Sequence, residues 1–223
     1  MKPILYYDDR SPPVRSCLML IDHLGIECEL RYVDLFKGEQ KSSDFLKINP
    51  VHTVPTLLDG EIVLRDSHTI LIYLSEKYQN QNNCLYFSGR LEQLNIIDKM
   101  FFESSVLFRR DSDFMSEIIK MKLKNVDFEA HKRRILEVYS MLEIFLTETK
   151  YVASNKMTIA DFSIVTTLST VDLIFHVNDD WPYLFKWFEE MKKLSCYQKF
   201  NIPGLQKLKN ALELFGDFKF PIE

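Results

Sequence analysis

The feature that most constrains this chain is a change of hydrophobic period along its length. Before about residue 79 the apolar runs are short and broken by turn signals; beyond about residue 90 they lengthen and recur at helical spacing. Ile4 to Tyr7 is a short apolar run, and Pro12-Pro13 open a stretch, Val14 to Leu24, with helical periodicity. Glu29 to Asp34 alternates in the manner of a second strand, which a right-handed crossover sets parallel to the first. After a polar stretch, Lys37 to Ser43, a short helical segment reaches about Ile48. Thr56 to Leu64 contains Asp59-Gly60, a strong hairpin signal, so two antiparallel strands are expected around it. Ser67 then reads as the N-cap of a helix from Thr69 to Tyr78, with Ile70, Leu71 and Leu74 on one face.

The order βαβαββα is that of the thioredoxin-like fold. Gln79 to about Gly89 is polar and Asn-rich, a linker composition. The expected organisation is an α/β thioredoxin-like domain at 1–79, a linker at 80–89 and an all-α domain at 90–223. Leu91 to about Met121 and Phe128 to Thr147 are long periodic segments, and Pro182 to Leu194 and Leu205 to Phe215 are shorter ones. Thr158-Ile-Ala-Asp161 has capping-box spacing, with Asp161 in place of the usual Glu. The helix it starts, Asp161 to about Phe175, is almost wholly apolar and is expected to form the core of the second domain.

With 46% apolar residues the chain can bury a full core without staples, and its four cysteines, Cys17, Cys28, Cys84 and Cys196, lie far apart. Neither a disulfide framework nor a metal site is indicated, which fits a reducing, cytoplasmic setting. No apolar run suits a signal peptide or approaches the roughly 18 residues of a membrane span, so no membrane partner is expected. Lys and Arg number 28 against 32 Asp and Glu, a net charge of −4, which gives no electrostatic reason to expect nucleic acid. A small-molecule ligand is the default.

Four motifs then stand out: Ser11-Pro-Pro-Val-Arg15, Asn49-Pro-x-His52-x-Val-Pro55, Asp66-Ser67 and Thr158-Ile-Ala-Asp161. Together they resemble the cytosolic glutathione transferases, across both domains, and the first resembles the insect delta and epsilon classes. Tyr6-Tyr7-Asp8, Leu35 to Gln40, Phe108 to Met115 and Ser163 to Thr170 further resemble the epsilon-class subgroup called Noppera-bo, associated with ecdysteroid biosynthesis. The resemblance implies the cytosolic glutathione transferase fold, glutathione as co-substrate, no metal, and a homodimer formed through the Asp66 to Tyr78 helix and Leu91 to Phe102.

A thiol of pKa about 8.5 is mostly protonated at neutral pH, and only the thiolate attacks well. Ser11, at the start of the first helix, can donate its hydroxyl to the sulfur while the helix dipole adds positive potential; Pro12 suits the first helical position. Taken alone, Ser11 reads as no more than a helix cap. Val54-Pro55 resembles the cis-proline turn of the fold, which pairs with the cysteinyl unit of glutathione but also occurs where no ligand binds. Asp66 and Ser67 match residues that hold the γ-glutamyl amino and carboxylate groups. His52 and Gln40 match positions that hold the glycyl carboxylate, although many relatives have His where this chain has Gln40. His68 stands where many delta and epsilon members have Arg and is not counted in the site.

Phe108, Asp111, Ser112 and Met115 fall at i, i+3, i+4 and i+7 and so share one helix face. In this fold that face looks across the cleft at Ser11 and presents one strong acceptor, Asp111, to a steroid hydroxyl, as the resemblance to Noppera-bo implies. The alternative is a solvated face with Asp111 paired to an arginine. Pro12, Leu35, Phe36, Thr170 and Leu205 are further wall candidates. The expected activity is conjugation, or glutathione-assisted isomerisation, of hydrophobic, steroid-like acceptors with Ser11 stabilising the thiolate; the alternative is a non-catalytic steroid carrier using the same cleft.

Overall fold

The computed structural model describes residues 2–80, 84–121 and 126–216; residues 81–83 of the expected linker and 217–223 of the helical half lie outside the described residues. Strand β1 (Ile4–Tyr7) leads into helix α1 (Pro12–His23) and back to β2 (Glu29–Tyr32), which lies parallel to β1. A short helix α2 (Ser43–Ile48) precedes β3 (Thr56–Asp59) and β4 (Ile62–Leu64), and the four-stranded sheet has the order β2-β1-β3-β4. Gly60, at φ 63°, makes the left-handed turn that lets β3 and β4 pair antiparallel, so the Asp59-Gly60 signal is realised as a hairpin. Strand β2 ends two residues before the expected Asp34, because that carboxylate turns away to pair with Arg10 at 2.7 Å.

Helix α3 (Ser67–Tyr78) buries Ile70, Leu71 and Leu74, the face its periodicity predicts. Its cap is a correction: Asp66, not Ser67, holds the extended cap conformation, and its side chain accepts from the Thr69 amide at 3.0 Å. An Asp carboxylate reaches the third amide of the helix from one residue earlier, which frees the Ser67 hydroxyl and leaves Ser67 as the first helical residue.

The second half is helical. Helix α4 (Arg90–Phe102) continues through a π-helical turn, Glu103–Leu107, into α5 (Phe108–Met121), so the single helix expected from Leu91 to Met121 is one rod with a bulge in it. Such a turn re-aims side chains and is common at functional sites. Helices α6 (Phe128–Glu148), α7 (Ile159–Asp172), α8 (Pro182–Lys192) and α9 (Ile202–Gly216) complete the described fold. Helix α7 is buried from Ile159 to Val171, the core role its apolar composition predicts. Its first turn is held by Asp161, whose buried carboxylate accepts from the amides of Thr158 at 2.8 Å and Val152 at 3.0 Å and from the Trp187 indole at 2.9 Å. Burial raises this carboxyl to about 6, with those donors holding it down.

Helix α1 is the seam of the molecule. Every residue from Val14 to Ile21 is buried, because α1 packs against α3 and against α7. Among those residues only Arg15 carries a formal charge, and it has no exposed surface. One amino group of its guanidinium donates to the Thr166 carbonyl at 3.0 Å and to the Thr170 hydroxyl, tying α1 to α7. Helix α9 closes over this seam at Gly204, where a Cβ would stand 2.3 Å from the Asp9 carbonyl oxygen and 2.6 Å from Cδ of Arg15.

The Asp9 carbonyl is backbone and cannot swing aside, so Gly204→Ala must push α9 off the seam. We expect it to cost roughly 1–3 kcal/mol as an overpacking change, read as a lower urea midpoint at unchanged slope. An unchanged midpoint would show that the approach is not that close.

Candidate functional site: two cavities meeting at Ser11

The chain leaves β1 and turns so that the Ser11 amide donates to the Asp8 carbonyl at 3.0 Å, and α1 starts at the next residue. Ser11 holds the cap position with extended backbone (φ −80°, ψ 124°), yet its side chain makes no capping bond. Among the described residues its hydroxyl has no hydrogen-bond partner. It therefore stands at the positive end of a helix with its own donor uncommitted.

Two cavities open on either side of it. The first, about 210 Å³, is lined by Ser11, Pro13, Thr53, Val54, Pro55, Arg65, Asp66, Ser67, His68, Glu103, Ser104 and Phe108. The Val54-Pro55 bond is cis. This cavity brings four of the expected glutathione residues together, Val54, Pro55, Asp66 and Ser67, at the N-terminus of α3. Gln40 and His52 lie outside its lining: Gln40 turns its amide to the Leu35 carbonyl at 3.4 Å, and His52 is exposed in left-handed backbone at φ 51°.

A buried network that sequence reasoning missed lies under this cavity. The His68 Nε2 stands 2.8 Å from the Ser163 hydroxyl and 3.0 Å from a carboxylate oxygen of Glu103, whose other oxygen accepts from the Thr167 hydroxyl at 2.5 Å. Burial works to lower the His68 pKa, but the hydrogen bond and charge of Glu103 outweigh it and raise it above its ordinary value. Glu103 belongs to the π-helical turn, so no local sequence signal could have placed it beside His68.

The second cavity, about 330 Å³, is lined by Arg10, Ser11, Pro12, Leu35, Phe36, Phe108, Asp111, Ser112, Met115, Ser116, Ile119, Thr170 and Leu208. All the expected wall residues except Leu205 are there. Leu205 is buried in the neighbouring turn, and Leu208, three residues further along α9, faces the cavity instead. Ser116 and Ile119 were legible, since they extend the Phe108–Asp111–Ser112–Met115 face by one more turn. Arg10 fixes the loop wall: its guanidinium pairs with Asp8 and Asp34 and lies 4.3 Å from the centre of the Phe36 ring, while Asp8 also accepts from the Leu35 amide at 3.1 Å.

The charged segment of α5 divides between two environments. Arg109 pairs with Asp113 at 3.1 Å, Arg134 with Asp113 at 3.4 Å, and Arg110 with Glu137 at 2.8 Å, all on the outer side. Asp111 points inward, is 2% exposed, and its Oδ1 has no hydrogen-bond partner among the described residues. The alternative of a solvated, arginine-paired Asp111 is therefore not what forms. Burial pushes its carboxyl up to about 8, with the Arg15 charge pulling it down and Glu103 adding to the rise.

This geometry can be set beside known proteins. Residues 5–82 match the family model "Glutathione S-transferase, N-terminal domain", and residues 108–194 match "Glutathione S-transferase, C-terminal domain". The Anopheles gambiae protein "Glutathione S-transferase 2" is 32% identical over 215 residues, covering 96% of this chain and 98% of that one. An epsilon-class glutathione S-transferase structure from the housefly, Musca domestica, superposes with a TM-score of 0.90 at 33% identity, over 96% of this chain and 98% of that one. A glutathione transferase homologue from Drosophila mojavensis, solved with bound glutathione, also gives 0.90 at 33% identity, over 96% and 97% of the two chains. The fold is that of the cytosolic glutathione S-transferases, an enzyme class. The chain belongs to the glutathione S-transferase family, in its insect delta and epsilon group.

The raised pKa of Asp111 makes a prediction about stability. Between the unfolded value near 4 and the folded value of about 8, the unfolded chain ionises Asp111 and the native state does not. Its contribution is therefore fully present below pH 4 and lost as pH rises to about 8. Asp111→Asn removes that loss, so its stability relative to wild type should grow by on the order of a few kcal/mol from pH 5 to pH 8 and level off above. Urea melts at a series of pH values check this; a difference independent of pH would sink it.

Proposed function

We propose that the two cavities are the halves of one site, the first holding glutathione and the second the molecule its sulfur attacks. The observation that carries this reading is that Ser11, with an uncommitted hydroxyl at a helix N-terminus, lines both. The donor set of the first cavity fits the peptide. The Ser67 hydroxyl and the amides opening α3 suit the γ-glutamyl carboxylate, the Asp66 carboxylate suits the amino group beside it, and the Val54 backbone suits the cysteinyl unit. Gln40 and His52 remain proposed for the glycyl carboxylate, on the strength of the family resemblance. Ser11 then donates to the sulfur, favours the thiolate, and leaves it facing the apolar wall of Phe108, Met115 and Leu208.

For the acceptor we propose a hydrophobic, steroid-like molecule with a hydroxyl directed at Asp111, either conjugated or isomerised by addition and loss of the thiolate. Ecdysteroid biosynthesis is the biological setting that the resemblance to the Noppera-bo subgroup suggests. We also propose a homodimer. Leu91, Leu94 and Phe101 are exposed on α4, beside an apolar cavity of about 220 Å³ between α3 and α4.

The test is turnover of chlorodinitrobenzene with glutathione, by wild type and Ser11→Ala, between about pH 6 and 8. Wild type should reach its plateau with an apparent pKa below the free thiol's value of about 8.5. Ser11→Ala should lose kcat/KM by a factor on the order of 10² and move the rise toward the free-thiol value. Glutathione binding without wild-type turnover would favour the carrier reading instead.

A further inference from the structure

The mechanism above uses Ser11 and Asp111 but not the charge buried beside them. Arg15 lies in the seam directly behind the cavity wall: its guanidinium is anchored by the Thr166 carbonyl at 3.0 Å and by the Thr170 hydroxyl, and Thr170 itself lines the acceptor cavity. The Thr170 hydroxyl commits its proton to the Thr166 carbonyl at 3.1 Å, so toward a ligand it can only accept. Gly204 leaves the room that the aliphatic stem of Arg15 occupies. The Nε and Nη1 groups of Arg15 and the Oδ1 of Asp111 are buried without hydrogen-bond partners among the described residues. A fixed cation and a carboxyl that forms one face of a ligand cavity are thus sealed into the same low-dielectric region, where a charge acts far more strongly than in water.

We propose that Arg15 is a positioning residue of the acceptor cavity: from behind the wall its charge favours the anionic form of Asp111, and where that form is populated the site selects hydroxylated apolar ligands over otherwise equal ligands that lack the hydroxyl. The proposal rests on the reading of this cavity as the acceptor site. A carboxylate accepts from a hydroxyl roughly twice as strongly as a neutral carboxyl does. Burial favours the neutral form, and Arg15 is the cation that opposes it. The other groups acting here come from four directions. Glu103, in the π-helical turn, repels the Asp111 charge; Asp9, before α1, and Tyr197, before α9, act on Arg15; Tyr139, on α6, feels Asp111. Arg15 itself is lowered by burial to about 10, with Asp111 the largest influence holding it up, so it stays charged at physiological pH.

The experiment uses a matched pair of probes, pregnenolone and its 3-methyl ether, which share one apolar body and differ in a single hydrogen-bond donor. Their affinities are measured by calorimetry at pH 6.5 to 9 for wild type, Arg15→Lys, Arg15→Met, Arg15→Gln and Asp111→Asn. The readout is the ratio of the two affinities, because a purely structural loss lowers both and leaves the ratio alone. In wild type the ratio should rise with pH through about 8 and reach about tenfold in favour of the alcohol. Arg15→Lys, which keeps the charge, should retain most of it. Arg15→Met and Arg15→Gln should hold the ratio below about twofold up to pH 9; if one does not fold, the other against Arg15→Lys makes the same comparison. Wild-type ratios in the uncharged variants, with the preference lost in Asp111→Asn, overturn the role of Arg15 and leave the acceptor site standing. No preference in wild type, and no effect of Asp111→Asn, overturn both.

Discussion

A guanidinium with no exposed surface organises this molecule. Removing a cation from water is expensive, and it is tolerated only where fixed dipoles and hydrogen bonds replace the solvent. Here the replacements come from separate parts of the chain: Thr166 and Thr170 on α7, with Asp9 and Asp111 acting through their charge. Gly204 of α9 supplies space rather than contact. The α/β half and the helical half therefore share one buried seam along α1 as well as one apolar core. The relation of Ser11, at the start of α1, to the α5 face opposite it follows from how that seam is locked.

That relation divides the chemistry of the site. On one side of Ser11 the polar groups gather at the N-terminus of α3, where unpaired amides and a cap carboxylate suit a charged peptide. On the other side most of the exposed wall surface is apolar, and its one carboxylate among the described residues is Asp111. The π-helical turn serves both. It sends Glu103 down under the first cavity against His68, and it sets the register with which Phe108, Asp111 and Met115 face the second cavity. A straight helix through the same residues would rotate these two groups relative to each other.

The electrostatics show why burial and role go together in this protein. Asp161, buried, is held near 6 by the donors of Thr158, Val152 and Trp187, and its use is structural. Asp111, equally buried but with an oxygen left unpaired, rises to about 8 and faces a cavity. Two carboxylates of the same type differ in whether the protein itself satisfies them. A buried acceptor that the chain leaves unsatisfied costs stability, and it is the group available to a ligand.

Much of this was legible from the sequence alone, because it depends on local periodicity and turn chemistry. The period change near residue 80, the Asp59-Gly60 hairpin, the capping box at Thr158 and the face of Phe108, Asp111, Ser112 and Met115 each arise within a few residues, and each is found in the fold. The α3 cap was read one residue late because Asp and Ser are both good caps and only backbone geometry chooses between them. What only the tertiary structure decided are the pairings across it: Glu103 with His68, Arg15 behind Thr170 and Asp111, Gly204 against Asp9, and Leu208 rather than Leu205 in the wall. Local sequence sets which side of a helix is apolar. The partner that a buried charge meets is set by packing between separate elements far apart in the chain, and no local pattern carries that information.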